Sequence, residues 1–242
     1  MGSMSILDHF VNGAAFVGES TRTAPVYNPA VGSVTKQVRL ATTTDVDVAV
    51  QAAKAAFPAW SGASWAKRQG VMFAFRELLN ARKEELAAIL TNEHGKVLSD
   101  ALGEIARGLE VVEFATAAPH LAKGEYSENV STGVDVYSTR QALGVVGIIS
   151  PFNFPAMVPL WFFPLAIALG NTVVLKPSEK DPSSAIFMAQ LFTEAGLPDG
   201  VLNVMHGDKE SVDALLHHPD VASISFVGST PIAKYIYETA AS

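Results

Sequence analysis

The sequence predicts an α/β protein built on a doubly wound parallel sheet. Two observations carry this. From Gly144 onward, short apolar runs alternate with helical periods four times over: strands at 145–149, 172–175, 201–205 and 222–227, helices at 159–169, 183–195 and 210–216, and a last helix opened by Pro231 at its first position. Repeated strand–helix units of this kind close into a parallel sheet with right-handed crossovers. The run at 145–149, VVGII, is moreover apolar throughout rather than alternating, as a strand covered on both faces is.

The residues before this unit fall into three stretches. The first forty carry short apolar segments broken by turns, with Asn12-Gly13 as a hairpin signal. Helical periodicity then takes over. Thr44 is placed as the cap of a helix that ends at Pro58, with Asp45 and Asp47 at its positive end. Ser64 caps a second helix through Leu78, a third covers 83–94 with Gly95 as its stop, and a fourth covers 98–117 with Leu102, Ile105, Leu109 and Val112 on one face. Around 125–138 the period changes to two, which reads as a hairpin with one wet face, or an arm that pairs in an oligomer. The resulting division is 1–123, strands and helices packing on the cofactor domain; 124–142, the arm; and 143–242, the parallel unit. The last helix runs to Ser242 without a Gly or Asn cap, which reads as a truncated chain. Met1-Gly2-Ser3 reads as vector-derived residues ahead of Met4.

Composition excludes several classes. The 242 residues are 49% hydrophobic and 17% charged, with net charge −7, which describes a folded chain with no electrostatic footprint for nucleic acid. There is no cysteine, so disulfides, thiolate metal sites and a cysteine nucleophile are absent from these residues. The six histidines show no ligand spacing and no metal is expected. Residues 141–175 are uncharged, but Pro151, Pro155, Pro159 and Pro164 interrupt them, so a buried strand, loop and helix are expected rather than a membrane span. With no export signal, the expected location is cytoplasmic.

In open α/β sheets, ligands bind beyond the carboxyl ends of the strands. Ser150-Pro151-Phe152-Asn153 follows the first strand, Lys176 to Glu179 the second, His206-Gly207 the third and Gly228-Ser229-Thr230 the fourth. A glycine and two hydroxyl residues at a helix N-terminus suit a phosphate, and are equally the pattern of a plain N-cap. Lys176 and Glu179 can bond ribose hydroxyls, with the carboxylate repelling a 2′-phosphate, or form a solvated turn. Asn153, on a loop stiffened by prolines, is either an oxyanion donor or an Asx-turn residue. Glu104 and Arg107, one turn apart, have the spacing of an i, i+3 ion pair. No G-x-G-x-x-G follows any strand.

Taken in order, Pro151-Phe152-Asn153-Phe154-Pro155, then residues 170–179 (GNTVVLKPSE), then Phe226-Val227-Gly228-Ser229-Thr230 resemble the aldehyde dehydrogenase superfamily along nearly the whole chain. Residues 151–164 and 226–233, the sequence 107–114 (RGLEVVEF), and Phe152 where most relatives carry Trp, look like the CoA-acylating branch that acts on methylmalonate or malonate semialdehyde. Ala233 departs from the glycine of many relatives.

The resemblance implies a Rossmann-like domain binding NAD through Ile149, Ser150, Pro151, Phe152, Lys176, Glu179, Gly207, Phe226, Gly228 and Ser229. It implies Asn153 as the catalytic amide for the oxyanion and Arg107 as the binder of the substrate carboxylate. It further implies a cysteine thiolate that attacks the aldehyde, hydride transfer to NAD, acyl transfer from the thioester to coenzyme A as co-substrate with loss of CO2, and a homo-tetramer or homodimer assembled through the arm. The cysteine and the general-base glutamate fall beyond Ser242, with the catalytic domain, so the 242-residue chain is expected to be inactive. The alternatives are a non-catalytic NAD-binding fragment, an oxidising but non-acylating aldehyde dehydrogenase, and an interaction fragment that associates through its arm and sheet edge.

Overall fold

A computed structural model describes residues 4–241; Met1-Gly2-Ser3, read above as vector-derived, and Ser242 lie outside the described residues. The centre is a six-stranded sheet. Its parallel part is β8 (Val145–Ile149), β9 (Thr172–Lys176), β10 (Leu202–Val204) and β11 (Val221–Phe226). The N-terminal strands β2 (His9–Val11) and β3 (Ala14–Phe16) add to it antiparallel, giving the order β11-β8-β9-β10-β2-β3. Asn12 and Gly13, at φ 54° and 79°, make the tight turn between them, as the Asn-Gly signal predicts.

Alternation along the strands sorts two cores. Val146, Ile148, Val173, Leu175 and Val204 point to the side covered by α6 (Met157–Ala168) and α7 (Ser183–Glu194), behind which lie α2 (Trp65–Ala81), α3 (Lys83–His94) and α4 (Leu98–Ala115). Val145, Ile149, Val174 and Met205 point to the side covered by α1 (Thr43–Ser61), α8 (Lys209–Leu216) and α9 (Thr230–Ala240). Strands buried on both faces explain why 145–149 reads as a continuous apolar run. A small sheet, β1 (Ile6–Leu7), β5 (Ser33–Arg39) and β4 (Thr23–Asn28), packs against α3, and the short α5 (Ala118–Leu121) follows α4.

Several boundaries differ from the sequence reading. The cap of α1 is Thr42, not Thr44. Its hydroxyl accepts from Asp45 N (3.2 Å) while Asp45 Oδ2 accepts from Thr42 N (3.0 Å), a capping box that only this spacing allows. The helix continues past Pro58 because Trp60, 1% exposed, anchors the last turn by donating Nε1 to Ile167 O at 2.9 Å. Pro231 stands at the second helical position of α9, after Thr230. The buried stripe of α4 is Ala101, Glu104, Ile105, Gly108, Val112 and Ala115, leaving Leu102 and Leu109 at its edge. The hairpin β6 (Tyr126–Ser131) and β7 (Val134–Tyr137) is exposed on both faces rather than one. No helix among the described residues is long and apolar enough to cross a membrane.

Candidate functional site

The strand register brings the ends of the parallel strands level. Phe226 lies opposite Ile149, and Ile149 opposite Lys176. The ladder then runs out into the loops: Ser150 N donates to Lys176 O (3.1 Å), Met205 N to Leu175 O (2.9 Å) and Val227 N to Ile149 O (3.4 Å). Ile149, Ser150, Pro151, Phe152, Lys176, Glu179, Gly207, Phe226, Gly228 and Ser229 are therefore gathered along one edge, where the topology of an open α/β sheet puts a ligand.

Their environments differ from those of ordinary turns. Ser150 is buried, and its hydroxyl has no partner among the described residues. Lys176 is 6% exposed, with the Glu179 carboxylate 3.6 Å from its ammonium. Burial pulls the Lys176 pKa down, and Glu179 partly offsets this. An ammonium holding one loose ion pair keeps donors to spare, unlike a lysine in a solvated turn. A Cβ at Gly207 would sit 1.8 Å from Ser211 Oγ, and Ser211 is fixed by donating to Ala41 O (3.1 Å), so only glycine lets α8 close on this loop. Phe152 is 48% exposed, with the Lys180 ammonium 4.3 Å from its ring centroid.

The N-terminus of α9 is open. Ser229 has the extended conformation of an N-cap (φ −70°, ψ 153°), yet its side chain caps nothing. Pro231 has no N–H, and the N–H groups of Thr230 and Ile232 face an end where the helix dipole favours an anion. The side-chain caps on α1, α2 and α8, from Thr42, Ser64 and Asp208, show what is missing here. Among the described residues, a buried hydroxyl without a partner, a cation with spare donors and an uncapped helix end stand along one edge, donors of the kind that hold an anionic, hydroxyl-bearing ligand.

Asn153 lies on the same loop, after Phe152, exposed, its side-chain amide free of hydrogen bonds among the described residues. Its backbone is held from α4 and the preceding loop. Glu104, fully buried, accepts from Ala156 N (2.8 Å) and Met157 N (3.0 Å) through Oε1, closing the N-terminus of α6. Its Oε2 pairs with Lys96, whose ammonium also donates to Asn153 O (3.2 Å) and lies 4.8 Å from the Phe154 ring. This cap from another helix is why α6 begins at Met157 rather than at Pro159. It also replaces the expected Glu104–Arg107 ion pair: Arg107 is exposed and makes no ion pair among the described residues. Its helix runs close beside α6, for a Cβ at Gly108 would lie 2.4 Å from Leu160 Cδ1. The structure thus sets Arg107, exposed, on the helix whose Glu104 buttresses the Asn153 loop.

Sequence reading missed Lys96 and the buried role of Glu104. An acid on the core stripe of α4 is the signal that marks it. It also missed Asp181, buried beside Glu179, whose carboxyl is pushed up to about 8, first by burial and then by Glu93. His9 and His206 form another unforeseen pair. They are buried with ring centroids 5.7 Å apart just before Gly207, and burial lowers the pKa of both.

The sheet and its crossovers define a doubly wound α/β protein with the topology of an open, mostly parallel sheet. Within that class the chain belongs to the aldehyde dehydrogenase family, whose model matches residues 16–242. It is 55% identical over 234 residues to malonate-semialdehyde dehydrogenase of Pseudomonas aeruginosa, covering 97% of this chain and 47% of that protein. The solved methylmalonate-semialdehyde dehydrogenase from Oceanimonas doudoroffii superposes with a TM-score of 0.97 at 55% identity, over 98% of this chain and 49% of that one. A Sinorhizobium meliloti 1021 protein described as a methylmalonate-semialdehyde dehydrogenase, and solved complexed with NAD, gives 0.97 at 51% identity, over 100% of this chain and 49% of its own. The chain spans about half the length of the curated relatives it matches.

Proposed function

We propose that these residues form the cofactor-binding half of a NAD-dependent aldehyde dehydrogenase that oxidises malonate or methylmalonate semialdehyde, with coenzyme A as acyl acceptor and loss of CO2 in the whole protein. The observation that carries the reading is the level edge itself: three strand ends in register beside an uncapped helix N-terminus. The names of the similar proteins, and the NAD complex of one of them, support the substrate and the cofactor.

NAD supplies the hydride acceptor when bound. The chain's own residues bind and orient. The free N–H groups of α9 and the Ser229 hydroxyl hold the pyrophosphate, and Gly228 keeps the approach clear. Lys176 and Glu179 take the ribose hydroxyls, with Glu179 opposing a 2′-phosphate. Ile149, Ser150, Pro151, Phe152, Gly207 and Phe226 line the cleft. Asn153, its backbone fixed by Lys96 and Glu104, presents an amide donor to the aldehyde oxygen as negative charge develops there. Arg107 offers an unpaired guanidinium fork to the substrate carboxylate. The arm at 124–142 serves assembly into a homodimer or homo-tetramer. With no cysteine among its 242 residues, this chain by itself holds NAD without turning aldehyde over.

Calorimetric titration with NAD and NADP tests the reading. The expected result is saturable NAD binding, weaker NADP binding, and a loss of NAD affinity in Glu179→Ala and Lys176→Ala, with the gap between the two cofactors narrowed in the former. A folded chain that binds neither cofactor, or aldehyde-dependent NADH production by the pure chain, overturns it.

A further inference from the structure

A second polar cavity, of about 540 Å³, lies where the strap joining the arm to β8 meets the turn between α1 and α2. Arg68 and Arg140 both line it, with Ser61, Ser64 and Gln141. Arg68 is 4% exposed. Its Nε donates to Ala168 O (3.1 Å), and its Nη1 to Ser61 O (3.1 Å) and to the carbonyls of Trp60 and Ala63. The Trp65 ring stacks on it, 4.1 Å from centroid to Cζ. The C-terminal carbonyls of α1 and α6 thus lock the guanidinium in place, but Nη2 makes no hydrogen bond among the described residues.

Arg140 is exposed and, among the described residues, holds only Lys123 O, through Nε (3.3 Å). In a chain of net charge −7, Arg22, Arg39, Arg76 and Arg82 all pair with carboxylates. Arg68 and Arg140 share one cavity, and among the described residues no Asp or Glu lines it. The N-terminus of α2, capped by Ser64, adds its positive end to the same wall.

We propose that this cavity binds a small oxyanion, a carboxylate or phosphate group, between the buried Arg68 and the exposed Arg140. A guanidinium fork is the group suited to such a ligand. Because Arg140 belongs to the strap and Arg68 to the body, the bound anion ties the arm to the α1–α2 turn. The anion comes either free from solution or as an acidic side chain of a second copy laid along the arm.

The test is calorimetric titration of the chain with inorganic phosphate and with malonate at low ionic strength, repeated on Arg140→Ala. Lys54→Ala and Lys234→Ala, exposed cations outside this cavity and outside the strand-end site, serve as controls, and sedimentation velocity is run with and without malonate. Expected is a saturable site that is weakened about tenfold or more in Arg140→Ala and unchanged in the two controls. A chain that stays monomeric while binding identifies free anion as the occupant. Association that malonate reverses, and that Arg140→Ala abolishes, identifies the side chain of a second copy. Binding or association indifferent to Arg140→Ala overturns the proposal, as does a monomer that binds neither probe.

Discussion

The N-termini of α6 and α9 open at the same edge of the same sheet, each after a parallel strand, and they are finished in opposite ways. At α6 the first N–H groups are taken by the carboxylate of Glu104, reaching in from α4. At α9 the side chain in the cap position makes no cap hydrogen bond, and among the described residues no other side chain caps the helix. Doubly wound topology presents a positive helix end above every crossover strand. The difference teaches that the topology only offers such ends; a single buried acid decides which is consumed by the fold and which stays available to a ligand. Filling one also fixes the loop beside it, for the same carboxylate holds Lys96 against Asn153 O.

The largest expected effect follows from emptying the filled end. Glu104→Ala leaves Lys96 unpaired and two buried N–H groups without an acceptor, a loss of about 3–5 kcal/mol in unfolding free energy. Glu104→Gln, which keeps an acceptor for the N–H groups and loses only the charge pair, costs less. Urea unfolding of the three proteins measures this. A Glu104→Ala protein within about 1 kcal/mol of the parent removes the contrast between the two helices.

Acid tests the same edge one strand further along. His9 titrates at about 4 in the folded protein because burial disfavours its cation, against 6.5 ordinarily. The unfolded chain therefore takes up a proton that the folded chain refuses. Stability is full above pH 6.5 and falls as pH drops towards 4, by roughly 3 kcal/mol for His9 alone. His206, shifted the same way, adds to the fall. Unfolding curves at pH 7 and pH 4.5 read the slope; equal stability at both shows that the pair is not buried in solution.

Much of this was legible in the sequence, for physical reasons that differ by element. The strand β8 was visible because burial on both faces leaves an unbroken apolar run, and Gly95 marked the end of α3 because it takes φ 87° there. The strand-end residues were found because topology fixes where a ligand edge lies. What escaped was tertiary. No local pattern says that Glu104 caps a helix 52 residues away, so the start of α6 was misplaced. Three consecutive threonines, 42 to 44, offer three caps, and only the box with Asp45 selects among them. Arg68 and Arg140 lie far apart in sequence and share a cavity only through the fold.

The capped helices set the scale for the smaller effects. Thr42→Ala breaks a complete capping box and is expected to cost about 1 kcal/mol. Ser229→Ala, the same kind of substitution at α9, removes a hydroxyl that caps nothing and is expected to change stability by no more than about 0.3 kcal/mol, the level of an ordinary surface site. Its effect appears instead in NAD titration, as a loss of up to about tenfold, the worth of one hydrogen bond to a charged group. The two readouts separate the two fates of a helix end. A Ser229→Ala protein that loses a full capping increment while keeping its NAD affinity places that hydroxyl on its own helix. The open end of α9 is then closed in solution, like that of α6, and the pyrophosphate must be held elsewhere along the edge.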